Sequence, residues 1–200
     1  MQTKERIVKS AKKLFNLDGY NHTSLQKIID ETGVQKGGIY YYFSDKETLG
    51  FEVIKKAEEE FMKFLNSSST GKTAVEKIVG QFTAILNYHK QTRCRFGCIF
   101  GNIALEMANG SEEIRKAVEA VFEKWEKLIE NLLEEAAKEG DLNNELENET
   151  EKLSKTIVAA IEGGIMLSKT GRDYHHLETV LNSIILLIFK GEMHGKNSIR

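Results

Sequence analysis

The chain has 200 residues, 40% of them hydrophobic and 29% charged, which is typical of a globular protein that buries a core. Its formal net charge of −2 excludes a uniformly basic polyanion-binding chain, and its most apolar run, Leu181–Phe189, is too short to span a membrane. Proline is absent, and this absence together with the abundance of Glu, Lys, Leu, Ile and Ala predicts an all-α fold.

The first 42 residues have the pattern of three short helices. The run KERIVKSAKKLF repeats its apolar residues on one helical face and predicts the first helix. Thr23 followed by Gln26 matches a capping box, which predicts a second helix starting at Ser24. Gly33 breaks that helix, and a third runs from about Gln35 to Tyr42. This order of helices and turn predicts a helix-turn-helix.

The third helix carries three consecutive tyrosines, Tyr40–Tyr42, in the stretch GGIYYYF. Successive helical residues turn by about 100°, so three neighbours cannot all face one core. Ile39 and Phe43, four residues apart, supply the inward face and leave the tyrosines for solvent or a partner. Gly37-Gly38 costs about 1 kcal/mol per glycine relative to alanine in a helix, which is understandable if the backbone approaches DNA closely. The alternative is that the tyrosines only pack within a small helical domain.

The charge distribution favours nucleic acid at this end of the chain. Residues 1–50 hold eight Lys and Arg against six Asp and Glu, a balance of +2, and the remaining residues hold 20 against 24, a balance of −4. A mildly basic head on an acidic body is compatible with DNA binding by the head.

These residues resemble the DNA-binding head of TetR-type transcriptional repressors. The resemblance covers about residues 4–50 and depends on TSLQKII, GVQKGGIYYYF and DKETL. It implies an all-α homodimer whose heads bind a palindromic operator and whose C-terminal body binds a small effector that releases the DNA. Carried over by position, the residues nearest the bases are Gln35, Lys36, Gly37 and Tyr41, with Gly38 beside them where the backbone approaches DNA. The residues expected at phosphates are Thr23, Ser24, Tyr40, Tyr42 and Lys46.

Longer amphipathic helices follow the head. Ser44-Asp45 predicts the cap of a fourth helix, from Lys46 to about Leu65, and the polar run Asn66–Thr73 predicts a connector. The further helices are expected around Val75–His89, at Glu112–Glu139 between a Ser111 cap and Gly140, and at about Glu149–Ser168 and Tyr174–Lys190. We therefore predict a helix-turn-helix domain over residues 1–47 and an effector-binding and dimerisation domain over 48–200.

The body offers candidates for a pocket and for a dimer interface. The run GCIFGNIALEMA also resembles the body of one TetR branch, without naming an effector. Large or soft residues that favour a cavity, with His89 or Asn102 as a polar anchor, are Phe82, Leu86, His89, Phe100, Asn102, Met107, Phe122, Trp125 and Met166. The alternative is that they fill a solid core. The candidates for a twofold contact between the last two helices and their copies are Ile157, Ile161, Gly164, Val180, Ile184, Leu187 and Ile188.

No pattern in the sequence requires catalysis, a metal or a cofactor. There is no phosphate-binding glycine loop, HExxH motif or nucleophile elbow. Cys94 and Cys98 are interpreted as ordinary reduced thiols, with Cys98 the more buried of the two, in a cytoplasmic protein without a membrane segment. The alternative is a redox pair, or a metal site that His89 and Glu106 would complete. The sequence thus predicts a ligand-responsive repressor that binds operator DNA as a homodimer, and the alternative is a constitutive or architectural DNA-binding protein without an effector pocket.

Overall fold

Helices account for nearly all the regular structure of the computed structural model, which describes residues 2–190 and Ile199. Within that range, the only bridge between extended residues is an isolated antiparallel pair, Leu142 and Phe189. The helices are α1 (Thr3–Asp18), α2 (Leu25–Thr32), α3 (Lys36–Tyr42), α4 (Lys46–Ser68), α5 (Ala74–Gln91), α6 (Ile99–Met107), α7 (Glu112–Glu139), α8 (Thr150–Gly171) and α9 (His175–Ile188), with a short 3₁₀ helix at Asn144–Leu146. The prediction of an all-α fold is confirmed.

Local capping chemistry explains where several helices begin and end. The α7 bounds agree with the prediction because Ser111 Oγ accepts the Ile114 N–H at 3.2 Å and Gly140 adopts φ +79° just beyond the helix. Asp45 Oδ1 accepts the Thr48 N–H at 2.7 Å and caps α4, as expected. The fourth helix continues to Ser68, three residues into the predicted connector.

The chain divides into two compact units. The first consists of the chain up to Phe61 together with Cys98–Val121, and the second consists of Met62–Gly97 and the chain from Phe122 onward. The core of the first unit buries side chains from α1 to α4, α6 and the start of α7, including Phe15, Ile28, Ile39, Phe43, Leu49, Ile103 and Ile114.

The second unit is built mainly around the hairpin of α8 and α9. The Leu177 N–H donates to Ser168 Oγ at 3.0 Å. A Cβ atom at Gly164 would lie 3.2 to 3.3 Å from atoms of Leu177 and Val180, so this glycine permits the close approach of the two helices. No helix among the described residues is long and apolar enough to cross a membrane.

Candidate nucleic-acid interface

The turn between α2 and α3 is fixed by caps at both ends of α2. Ser24 is the N-cap, and its Oγ accepts the Lys27 N–H at 3.1 Å. Gly33 ends the helix in the left-handed conformation at φ +66°. The predicted cap at Thr23 was wrong by one residue, because the Thr23 side chain is fully buried and its hydroxyl donates to the Gly19 carbonyl at 2.8 Å.

Helix α3 presents its tyrosines outward, as predicted. Ile39 is fully buried and Phe43 is 1% exposed, whereas Tyr41 is 81% exposed. Tyr40 and Tyr42 are 46% and 39% exposed, and the rings of Tyr41 and Tyr42 meet edge to face with centroids 4.9 Å apart. The third helix therefore carries an aromatic ridge, Tyr40–Tyr42, that the core does not use.

The two glycines of α3 have different surroundings. A Cβ atom at Gly37 would have no atom of the described residues within 4 Å, whereas one at Gly38 would lie 2.9 Å from Val34 Cγ1. The fold therefore requires a small residue at position 38 and places no such demand on position 37. Gln35 and Lys36 are exposed beside Gly37 at the start of the helix, so all four residues expected nearest the bases, including Tyr41, are open to solvent.

Lys46 stands at the first position of α4 and is partly buried. Its Nζ donates to the Tyr20 carbonyl at 3.1 Å and lies 4.4 Å from the centroid of the Tyr20 ring. Burial lowers the pKa of Lys46, and the charge of Glu106 partly offsets this effect. Burial, with Glu47 and Asp45 nearby, raises the pKa of Tyr20 to about 12. Lys46 thus makes specific contacts within the chain at the edge of the head.

The residues predicted to line a pocket fall into two groups. Phe100, Asn102 and Met107 belong to the first unit, where Asn102 Nδ2 donates to Asn16 Oδ1 at 2.8 Å. The members in the second unit are Phe82, Leu86, His89, Phe122, Trp125 and Met166. Four of these six, Phe82, Leu86, His89 and Trp125, are at least 97% buried, whereas Met166 is 55% exposed.

His89 and Gln81 are buried polar residues on α5. His89 is 3% exposed and Gln81 is fully buried. The buried atoms His89 Nδ1 and Gln81 Oε1 have no hydrogen-bond partner among residues 2–190 and Ile199. Burial lowers the pKa of His89 to about 4, so the imidazole is neutral at neutral pH. Two unsatisfied polar atoms on one helix are unusual in a packed interior.

The residues predicted for a dimer interface differ in exposure. Leu187 is 69% exposed, whereas the residues covered by the chain itself are Ile157, Ile161, Gly164, Ile184 and Ile188. The exposed apolar side chains of α8 and α9 are Met166, Leu167, Leu186 and Leu187, each at least 49% exposed. Sequence periodicity alone did not separate the outward positions of α9, because this helix is apolar nearly all round.

The cysteines reverse the expected order of burial. Cys94 is 1% exposed and Cys98 is partly exposed, so the prediction that Cys98 is the more buried was wrong. The reason is a loop in which Arg93 and Cys94 both have positive φ, 51° and 54°, and in which the Cys94 N–H donates to the His89 carbonyl at 2.9 Å. Among the described residues, no cluster of His, Cys, Asp and Glu could hold a metal ion.

Two family models match the chain. Residues 7–53 match the model of the tetR family of bacterial regulatory proteins, and residues 74–183 match that of the C-terminal domain of LmrA/YxaF-like transcriptional regulators. The first covers the helix-turn-helix, and the second covers more than half of the chain.

Relatives and a solved structure agree with these matches over nearly the full length. The chain is 31% identical to the HTH-type transcriptional regulator YxaF of Bacillus subtilis, covering 94% of this chain and 96% of that protein. It is 28% identical to the HTH-type transcriptional regulator LmrA of the same organism, and the match covers 86% of this chain and 88% of that protein. The crystal structure of a TetR transcriptional regulator from Legionella pneumophila matches with a TM-score of 0.82 at 28% identity. The match covers 94% of this chain and 98% of that one. The chain therefore belongs to the TetR family of DNA-binding transcriptional regulators, as its resemblance to these repressors implied, and is a regulator rather than an enzyme.

Proposed function

We propose that the protein is a ligand-responsive transcriptional repressor that binds a palindromic operator as a homodimer and releases it when a small effector binds the body. The observation that carries the proposal is the aromatic ridge Tyr40–Tyr42, exposed on a helix whose Ile39 and Phe43 are buried. A bacterial regulator of this kind acts on DNA in the cytoplasm.

The exposed start of α3 supports docking in the major groove. Gln35 presents an amide for base edges, and Lys36 and the tyrosine hydroxyls are donors for bases or phosphates. Lys46 approaches a phosphate from the edge of the head. Because phosphate contacts bind all sequences and base contacts discriminate among them, Lys46 and Gln35 have different roles.

The division of roles is tested with a duplex selected from random sequence by the wild-type protein and with a mixed-sequence duplex. Lys46→Met should weaken binding to both duplexes. It should also reduce the slope of log K against log salt by the equivalent of about one phosphate contact. Gln35→Ala should weaken the selected duplex more than the mixed one, by about 1–3 kcal/mol of discrimination. Equal losses on both duplexes from both variants would refute the assignment.

The exposed apolar residues of α8 and α9 support a homodimer. Met166, Leu167, Leu186 and Leu187 offer an apolar surface that a second copy covers, and a twofold axis matches a palindromic operator. Leu187→Glu should shift sedimentation from dimer to monomer and abolish tight binding to the palindrome. Leu105→Glu is the matched control, because Leu105 is 85% exposed on α6, and the variant should remain a dimer.

The buried polar atoms of α5 support an effector site. His89 Nδ1 and Gln81 Oε1 are buried and have no hydrogen-bond partner within the part of the chain that the structure describes, so they are groups that a ligand would satisfy. Helix α4 contributes residues to both units, which provides a route by which an effector in the body alters the separation of two heads. If the separation of the two heads changed by a few ångströms, only one recognition helix could fit its half-site of the operator.

A thermal-shift screen against a metabolite library tests the effector response. Ligands that raise the melting temperature should also release the selected duplex, and His89→Leu should reduce both effects. If no ligand stabilises the protein, the alternative applies, namely a constitutive DNA-binding protein with a solid body. If saturating ligand leaves duplex affinity within about twofold, the release mechanism is wrong.

A further inference from the structure

The loop between α1 and α2 is held by a carboxylate from α6. The backbone N–H groups of Tyr20 and Asn21 donate to Glu106 at 3.2 and 2.7 Å, and Asn21 Nδ2 donates to the Glu106 carbonyl at 3.5 Å. These contacts join residues that are 85 and 86 positions apart in the sequence and belong to one compact unit. Glu106 therefore holds the α1–α2 loop, which leads into the first helix of the helix-turn-helix.

Gly19 makes room for this carboxylate. Its φ is +89° with ψ 157°, a conformation that side chains disfavour. A Cβ atom there would lie 2.4 Å from Glu106 Oε1. Any other residue would both strain the backbone and displace the carboxylate from the loop.

The same loop holds Lys46. The Tyr20 carbonyl accepts from Lys46 Nζ at 3.1 Å and from the Thr23 N–H at 3.2 Å. The peptide unit before Tyr20 donates to Glu106, so Glu106 and Lys46 are both fixed through the backbone of Tyr20. The charge of Glu106 favours the protonated ammonium of Lys46, against the larger opposing effect of burial on the Lys46 pKa.

We propose that Glu106 is a positioning residue through which α6 sets the DNA affinity of the head, because its carboxylate draws the Lys46 ammonium toward the α1–α2 loop and competes with a DNA phosphate for it. The inference rests on the phosphate contact that the proposed function gives to Lys46. It adds a regulatory element, since any movement of α6 that shifts Glu106 changes how freely Lys46 binds phosphate.

Glu106→Gln removes the competing charge and keeps part of the loop anchor. Its single amide oxygen can accept from one of the two N–H groups, those of Tyr20 and Asn21, that the two carboxylate oxygens accept in the wild type, so a modest loss of stability is expected beside the effect on DNA binding. Binding to the selected duplex should tighten about two- to fivefold, the range expected for one partly exposed charge pair. The gain should shrink as salt is raised, because salt screens the carboxylate. A purely structural role predicts the opposite for DNA, namely weaker binding to the selected duplex at every salt concentration.

Two comparisons isolate Lys46 as the mediator. In a Lys46→Met background, Glu106→Gln should change duplex affinity by less than about 1.5-fold, because the group through which it acts is gone. Glu113→Gln removes an exposed carboxylate at the start of α7 and should leave affinity near wild type. An equal gain in the Lys46→Met background, or from Glu113→Gln, would show general charge repulsion and overturn the inference.

The outcomes also separate this inference from the proposed function. If Lys46→Met alone leaves duplex binding unchanged, the phosphate contact fails, and the inference fails with it. If Lys46→Met weakens binding but Glu106→Gln has no effect or weakens it, the phosphate contact stands and only the role of Glu106 is refuted.

Discussion

Replacing Gly37 with alanine is expected to make the protein more stable and a poorer DNA binder. Gly37 is the second residue of α3, it has no positive φ, and an added Cβ would lie more than 4 Å from the other residues that the structure describes. Alanine therefore fits the folded chain and restricts the unfolded one, which raises the free energy of unfolding by about 0.5 kcal/mol. On DNA, the methyl group would stand between the helix backbone and the base edges. The loss of one contact there is about 1 kcal/mol or more, a factor of at least about 5 in Kd.

Urea unfolding followed by circular dichroism gives the first quantity, and fluorescence anisotropy with the selected duplex gives the second. Gly38→Ala is the control, since its Cβ would lie 2.9 Å from Val34 Cγ1 and should destabilise the head. If Gly37→Ala binds the duplex within twofold of wild type, the backbone of α3 does not approach DNA at this position, and the argument for the glycine is refuted.

Three further predictions concern buried and strained positions. Ile39→Ala should lower the free energy of unfolding by about 2–5 kcal/mol. Tyr41→Ala should change it by less than about 0.5 kcal/mol and weaken duplex binding. Equal losses of stability for the two variants in urea unfolding would contradict this. Because the pKa of His89 is about 4 in the folded chain against an ordinary 6.5, the unfolded chain takes up the proton first, so stability is full above pH 6.5 and falls toward pH 4. Between pH 7 and 5 the loss is about 2 kcal/mol in urea unfolding at one protein concentration; it should be absent in His89→Leu and retained in His22→Asn. Gly19→Ala should cost about 1–3 kcal/mol of stability, and an unchanged melting temperature would refute the strain argument.

Local signals in the sequence accounted for much of the fold and for the exposed face of α3. A serine before α7 and a glycine after it defined that helix, and the spacing of Ile39 and Phe43 showed which side of α3 faces inward. Caps and periodicity are encoded by neighbours, so one sequence is enough to identify them.

The features that the sequence did not reveal depend on distant partners or on unusual backbone. Thr23 and Ser24 are both good capping residues, and only the contact from Thr23 to the Gly19 carbonyl decides which of them caps α2. The burial of Cys94 follows from two successive residues with positive φ, which no sequence pattern announces. The sequence did not reveal that Glu106 holds the α1–α2 loop, because its partners lie 85 and 86 residues earlier in the chain.

The apolar residues left exposed on α8 and α9 have a consequence for gene dosage. If two copies must associate before either head finds its half-site, the fraction of occupied operator falls with roughly the square of the protein concentration at low abundance. A cell that makes few molecules would then relieve repression by dilution alone, for example after division. The strength of the contact at Leu186 and Leu187 would set the copy number at which the gene is silent.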